Sequence, residues 1–474
     1  MRLAASRAAP WLWLAAAARV ASPFSTRAMY AELDRSLERY AAVESADAAF
    51  AYLKDLIERP EHSYHNTLFV LDGVVYCDRR FLATDKNNKH VAMVGSLAAL
   101  GVDPPNVFYR FIYGAEGYNK GDALARHPVL VIAKYAGYGD AGVLAPNPYF
   151  LDLRAWDAER RRILAKAHAR PYGGRDGRVF WRGEIASHDL DVETRADHGS
   201  AEERAAFFCA EEGGNYARLQ AASLTLAAPA KVDVRCVSRH SCRPRDAERH
   251  PCAAYPYDGD MARAANRPKD LVDRGGFVDL PEYTRYQKVL NLPGKTTGSY
   301  SRNLNHLWAL GAVVLLWEAN YVEWYYPLLA HGETHVAVNK SSLLAALDAV
   351  DALPDANRTA LRVRAKEIDD RVVSGKGIAA YFGALFEKLR ARFSLGAVLD
   401  DPCARARLFR AANCSALDLV AVAPAAESLF KSWPGGPGHR RRLDAARVPA
   451  APTDCNAIYK RARDACAAAG RGDP

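Results

Sequence analysis

The chain has 474 residues, of which 50% are hydrophobic and 25% are charged, and its formal net charge is +9. This length is enough for one large or two medium hydrophobic cores, and two domains are the expected number. The basic residues are scattered and interleaved with acids, whereas a nucleic-acid groove needs a basic stripe with stacking aromatic side chains. The composition therefore favours an ordinary solvated surface and argues against a nucleic-acid partner.

Residues 1–22 are predicted to form a signal peptide or a short anchor. Arg2 and Arg7 precede the uncharged run Ala8–Ala18, and Val20-Ala21-Ser22 resembles a cleavage site. An Arg-rich start with few acids also fits an organellar transit peptide, so that alternative stays open. No later run reaches the roughly 18 apolar residues of a membrane span. The expected location is the endoplasmic reticulum or Golgi lumen, with no membrane span beyond the N-terminal segment.

The nine cysteines fit a secreted chain with disulfides and one free thiol. Their sequence positions suggest a cluster and two pairs: Cys236, Cys242 and Cys252 in the cluster, then Cys403 with Cys414 and Cys455 with Cys466. The CxxC or histidine spacing of a zinc site is missing, so no metal is expected.

An N-terminal α/β domain is predicted over residues 23–165. Its predicted elements are helices over 28–56, a hairpin over 67–76 around Asp72-Gly73, a helix over 91–100, and strands over 107–113 and 129–134. This order is typical of an open α/β sheet. An Arg-rich helix over 157–170 is expected to link this domain to the next.

The second domain, predicted over residues 166–345, contains a βαβ unit. Its elements are a strand over 288–292, a Gly-rich turn over 293–298, a helix capped by Ser299 or Ser301 and ended by Gly311, and a strand over 312–317. Free amides of the turn, the helix dipole and Arg302 favour an anion such as a nucleotide diphosphate. A turn with no ligand is the alternative.

The triplet Gly294-Lys295-Thr296 does not make a P-loop. That motif needs a glycine five residues before Gly294, where this chain has Val289, and Pro293 lacks the N–H that the phosphate cradle would use. A P-loop nucleotide hydrolase is therefore excluded.

The segment 286–317, followed by the aromatic run Glu323-Trp324-Tyr325-Tyr326-Pro327, resembles the donor site of glycosyltransferase family 90. This family comprises the capsule-associated and lipopolysaccharide-modifying glycosyltransferases, with related protein O-glucosyltransferases. The resemblance extends over roughly 107–344 and includes Phe180-Trp181-Arg182-Gly183. It implies a GT-B-like α/β fold with two Rossmann-like lobes, an inverting transfer from a UDP-sugar, and no divalent ion or other cofactor.

The resemblance also implies roles for particular residues. The family has an aspartate before an aromatic residue and a proline as the acceptor base; here that motif is absent, and Glu116 is the nearest carboxylate, either as the base or as a solvated loop residue. The donor diphosphate would be bound by Arg182, Gly294, Gly298, Ser299, Ser301 and Arg302. Arg218, Asn303 and Glu318 would support the donor site. Glu184 replaces a serine of the family pattern, which puts one hydroxyl contact in doubt.

The remaining chain is predicted to form closing helices over 346–394, packing across both lobes, and a Cys-containing tail over 395–474 with linker character. The leading hypothesis is transfer of a glucose- or xylose-type sugar from a UDP-sugar to a hydroxyl of a protein or polysaccharide. One alternative is a catalytically inactive nucleotide- or glycan-binding relative in the secretory pathway. Another is an unrelated secreted α/β scaffold.

Overall fold

A computed structural model describes most of the chain after residue 23. The described residues are 24–59, 66–79, 85–111, 127–135, 142–150, 152–184, 214–237, 270–273, 278–294, 303–319, 321–412, 417, 419–422, 450–451 and 455–471. They divide into two compact units, which we name by their sheets. The parallel-sheet unit comprises Met1–Thr26, Arg160–Tyr321 and Tyr325–Val372, and the mixed-sheet unit comprises Arg27–Glu159, Val322–Trp324 and Val373–Pro474.

Helices and strands alternate along much of the described chain. The α-helices are α1 Arg27–Glu38, α2 Ala46–Glu58, α3 Asp85–Gly95, α4 Leu153–His168, α5 Gly214–Ala227, α6 Leu304–Leu307, α7 Leu343–Ala352, α8 Asp355–Arg371, α9 Gly375–Arg392, α10 Gly396–Leu399, α11 Pro402–Ala411 and α12 Cys455–Ala468. The strands are β1 Asn66–Leu71, β2 Val74–Asp78, β3 Val107–Phe111, β4 Val129–Val131, β5 Lys134–Tyr135, β6 Val143–Leu144, β7 Asp176–Gly183, β8 Val232–Cys236, β9 Tyr286–Asn291, β10 Val313–Trp317, β11 Tyr321–Val322, β12 Val336–Val338, β13 Leu419–Val422 and β14 Ala450–Ala451. The predicted α/β class is confirmed.

The mixed-sheet unit contains a seven-stranded sheet in the order β14-β13-β2-β1-β3-β4-β6. Strands β1 and β2 form the predicted hairpin, in which Leu71 pairs with Val74. Its turn residues Asp72 and Gly73 both have positive φ, 50° and 76°, as a two-residue hairpin turn of type I′ requires. Strands β3, β4 and β6 are parallel to one another, whereas β1 and β3 are antiparallel.

The parallel-sheet unit contains a five-stranded sheet in the order β12-β10-β9-β7-β8. Every neighbouring pair in it is parallel. Numbered one to five along the chain, its strands follow the order 2-1-3-4-5, which is a doubly wound arrangement. Strands β9 and β10 are the two strands of the predicted βαβ unit, and Gly311 between them is left-handed with φ +62°.

One face of this parallel sheet packs against α5 and α7. The shared core consists of alternate strand residues, among them Trp181, Leu290 and Leu315, together with Ala221 and Leu347 from the two helices. Because side chains alternate along a strand, the intervening residues Phe180 and Val289, which pair across β7 and β9, project from the opposite face.

The C-terminal tail differs from its predicted linker character. Strand β13 pairs with β2 and therefore extends the mixed sheet, and α11 packs against α12. Cys403 of α11 forms a disulfide with Cys466 of α12, which corrects the suggested sequence pairs. Cys236 and Cys455 are also disulfide-bonded, while Cys77 is a free and buried thiol. None of the described helices is both long and apolar enough to cross a membrane.

Candidate functional site

The parallel sheet changes winding direction between β7 and β9. The chain proceeds from β7 outward to β8 on one side, and from β9 outward to β10 and β12 on the other. In open α/β sheets, ligands bind outside the carboxyl ends of the strands at this topological switch point. Residues 182–184, which end and follow β7, and residues 291–294, which end and follow β9, therefore lie at the expected ligand edge.

Arg182, a predicted phosphate ligand, lies at this edge but is buried between two carboxylates. Its Nη2 is 2.9 Å from Oδ1 of Asp233, and its Nε donates a hydrogen bond to Oδ2 of Asp273. Its Nη1 donates to the carbonyl oxygens of Trp181 and Asp233, at 2.9 and 2.8 Å. The guanidinium also lies over the Phe180 ring, 4.3 Å from its centroid.

These contacts give Arg182 an evident structural role. It ties the end of β7 to β8 and to the segment 270–273. The assignment of Arg182 as a phosphate ligand stays a prediction. Asp233 and Asp273 are not among the residues predicted from the sequence. For Asp233 the available signal was a carboxylate within the apolar strand β8, because a buried charge needs a partner.

Arg218 of α5 bridges the two strand ends. Its Nε donates to the carbonyl oxygen of Pro293 at 2.9 Å, and its Nη1 donates to the carbonyl oxygen of Glu184 at 2.6 Å. Its guanidinium carbon lies 5.4 Å from the centroid of the Trp181 ring. Arg218 thus joins the segment after β7 to the predicted phosphate turn after β9.

The Arg-Gly dipeptide that ends β7 has a steric explanation. A Cβ atom added at Gly183 would lie 2.4 Å from Cζ2 and 2.6 Å from Cη2 of Trp181. Glycine at this position therefore lets the indole fold over the backbone at the strand end. The same indole lies beside Arg218.

Asn291 is a further polar residue at the switch point that the sequence analysis did not select. It is the last residue of β9, and its side chain is buried. Its Oδ1 has no hydrogen-bond partner among the residues that the structure describes. Asn291 lies two residues beyond Val289, as Arg182 lies two beyond Phe180, so the two side chains share a face. A buried amide oxygen can accept a hydrogen bond from a ligand O–H or N–H.

Two other predicted supporting residues are Glu318, which follows a strand, and Asn303, which precedes a helix. Glu318 follows β10, and its Oε2 accepts a hydrogen bond from Nδ2 of Asn339, which follows β12, at 2.9 Å. Asn303 precedes α6, and its carbonyl oxygen accepts from the amide of His306 at 2.9 Å. The Asn303 side chain makes no capping hydrogen bond.

The helix after the phosphate turn is shorter than predicted. Helix α6 covers four residues and continues as a 3-10 turn over Trp308–Leu310. A helix of this length contributes little macrodipole, so anion binding would depend on backbone amides and side chains of the turn. Gly294 is described and buried, whereas Gly298, Ser299, Ser301 and Arg302 lie outside the described residues.

The predicted base, Glu116, also lies outside the described residues. Two histidines of the mixed-sheet unit, His90 and His127, are fully buried. His90 stacks on Phe111 at 3.8 Å between ring centroids, and burial lowers its pKa to about 3. Burial, with a smaller effect of Arg110, lowers the pKa of His127 well below its usual range. Both imidazoles are therefore neutral at physiological pH.

In the described part of the chain, no three or more His, Cys, Asp or Glu residues are grouped as a metal would require. Comparison with models of known protein families finds no match, and a search of curated protein sequences finds no relative. The resemblance to glycosyltransferase family 90 therefore stays a prediction from the sequence motifs.

Proposed function

We propose that the protein is an inverting glycosyltransferase with a GT-B-like arrangement of two α/β lobes. It would transfer a glucose- or xylose-type sugar from a UDP-sugar to a hydroxyl of a protein or glycan. The observation that carries the proposal is the switch point of the parallel sheet, where Arg182, Arg218 and Gly294 lie at the carboxyl ends of β7 and β9. Nucleotides bind at such edges in doubly wound sheets.

The donor site would use neutral and charged hydrogen-bond donors. Amides of the turn that begins at Gly294, with Ser299, Ser301 and Arg302, would hold the diphosphate and stabilise the charge that develops on the leaving group. The buried Oδ1 of Asn291 would accept a hydrogen bond from a hydroxyl or N–H of the donor, because an acceptor atom repels phosphate oxygens.

The reaction would be a single displacement. The acceptor oxygen forms a bond to the anomeric carbon as the bond from that carbon to the diphosphate oxygen breaks, and the electron pair leaves with UDP. The proton of the acceptor hydroxyl passes to a carboxylate, for which Glu116 is the candidate. This chemistry needs a base within hydrogen-bond reach and a site that stabilises the departing diphosphate.

UDP release by the purified chain, with a panel of UDP-sugars and acceptors, tests the proposal. We expect Glu116→Gln to lower turnover by about a hundredfold or more, the range for general-base catalysis. Arg302→Ala should lower it by a similar factor, since each donor to a developing anion contributes about that much. Lys231→Ala, at an exposed ion pair with Asp348, is the matched control and should retain activity. Unchanged turnover in both test variants would remove the two assignments.

A catalytically inactive nucleotide-binding relative is the second candidate. It is favoured by two departures from the family pattern, the missing aspartate of the acceptor base and Glu184 in place of a serine. UDP binding without sugar transfer or hydrolysis, across the same panel, would support it.

A further inference from the structure

Arg218 is suited to hold two chain segments at a fixed separation. Its guanidinium presents donors in a rigid fork, and two different nitrogens bind two different carbonyl oxygens. These oxygens belong to Glu184, which follows β7, and Pro293, which follows β9. The two strands are paired neighbours, so Arg218 spans the switch point itself.

The surroundings of Arg218 favour this one geometry. Its guanidinium lies beside the Trp181 ring, and Trp181 in turn closes over Gly183. The side chain is half-buried and comes from α5, whose next buried residues, Leu219, Ala221 and Ala222, belong to the core under the sheet. The helix that carries Arg218 is therefore anchored by this core in addition to the two hydrogen bonds of Arg218.

We infer that Arg218 is a positioning residue for the phosphate turn. It acts on the ligand through the backbone, because one of its described hydrogen bonds holds the Pro293 carbonyl immediately before Gly294 and the other holds the Glu184 carbonyl after β7. The inference rests on the proposed function, since it concerns how the same edge binds a diphosphate. It assigns to Arg218 a role that differs from direct contact with phosphate.

A matched control exists in the same unit. Arg175 also binds backbone carbonyls through several nitrogens: Nε donates to Arg170, Nη1 to Leu310 and Nη2 to Ala167, at 2.9, 2.8 and 3.0 Å. It lies immediately before β7, at the amino end of the strand, and so is remote from the ligand edge. Arg175→Ala should therefore remove a similar set of hydrogen bonds to backbone carbonyls without weakening ligand binding.

The test measures UDP and uridine affinities by calorimetry for the wild-type chain, Arg218→Ala, Arg218→Lys and Arg175→Ala. We expect Arg218→Ala to weaken UDP binding by about tenfold or more, the factor that corresponds to about 1.4 kcal/mol. Uridine affinity should stay unchanged, since uridine lacks the phosphates that the turn would bind. Arg218→Lys should behave as Arg218→Ala, because an ammonium group on a flexible stem cannot span both carbonyls. Wild-type UDP affinity in Arg218→Lys would overturn the inference, since only the charge would then matter.

Hydrogen exchange separates this inference from the proposed function. In the protein without ligand, Arg218→Ala should speed amide exchange in residues 288–294, and Arg175→Ala should leave that segment unchanged. If the wild-type chain binds no UDP, the proposed function fails while the exchange data still decide the positioning role. Equal exchange in Arg218→Ala and the wild type would overturn the inference, whatever the UDP affinity.

Discussion

Gly183 shows how one residue at the end of a strand can be fixed by its neighbour. Cβ at this position would lie well inside the contact distance of the Trp181 ring, and the ring is itself buried in the core. We expect Gly183→Ala to lower the free energy of unfolding by about 1–3 kcal/mol, the usual cost of overpacking. Gly177→Ala, on the same strand with no atom within 4 Å of the added Cβ, is the control. Urea unfolding monitors both, and an equal loss in the two variants would contradict the steric explanation.

The ion pairs of Arg182 give a second prediction at the residue scale. Asp233 is buried, so Asp233→Asn leaves the Arg182 guanidinium with Asp273 as its described carboxylate partner. We expect a loss of about 3 kcal/mol in the free energy of unfolding, at the lower end of the range for breaking a buried pair because Asp273 remains. Asp348→Asn, which breaks an exposed pair with Lys231, should cost less than about 1 kcal/mol. Similar losses at both positions would argue against a buried structural role for Arg182.

At the scale of elements, the disulfide between α11 and α12 closes a long stretch of chain. Cys403 and Cys466 are 63 residues apart. The loop-entropy relation predicts that removing such a crosslink lowers the free energy of unfolding by about 4 kcal/mol, because the unfolded chain gains conformational entropy. The double variant Cys403→Ser/Cys466→Ser should therefore unfold at lower urea concentration, whereas Cys77→Ser concerns a free thiol and removes no crosslink. An unchanged midpoint in the double variant would show that this disulfide does not stabilise the mixed-sheet unit.

Local signals predicted individual elements well. Asp72-Gly73 predicted the hairpin, because a two-residue turn needs positive φ at both positions, and Gly311 predicted the end of the segment before β10. Short apolar runs on either side of the Gly-rich turn predicted β9 and β10. These features depend on neighbours within a few residues, which is the information that a single sequence contains.

Non-local features could not be predicted in the same way. The sequence does not reveal that Cys403 bonds Cys466 and not Cys414, nor that β13 joins β2, since each depends on how distant segments pair. Arg182 was selected by its motif, but its carboxylate partners Asp233 and Asp273 are supplied by other segments. The sequence therefore indicated the residue types at the candidate site better than their contacts.

At the scale of the whole molecule, buried histidines predict how stability depends on pH. Burial lowers the pKa of both His90 and His335 to about 3, against about 6.5 in an unfolded chain. Below pH 6.5 the unfolded state then binds more protons than the folded state. The contribution of these histidines to the free energy of unfolding is fully present above about pH 6.5. It is lost as the pH falls towards 3, by up to about 1.4 kcal/mol per pH unit for each histidine.

Urea unfolding between pH 7 and pH 4 measures this dependence. His90→Phe replaces one titrating ring with an apolar ring, so the stability should fall less steeply with decreasing pH, by the contribution of about one proton. His168→Phe, at an exposed position near the end of α4, is the matched control for the change from imidazole to phenyl. The account of His90 fails if its replacement leaves the slope as steep as in the wild type.

The central claim is that the carboxyl ends of β7 and β9 form the binding site for a nucleotide diphosphate. A crystal structure of the chain with UDP tests this most directly. The account predicts that the diphosphate lies between these strand ends, within hydrogen-bond distance of the backbone of the turn that begins at Gly294. UDP bound at another edge of the molecule, or no UDP bound at millimolar concentration, would contradict it.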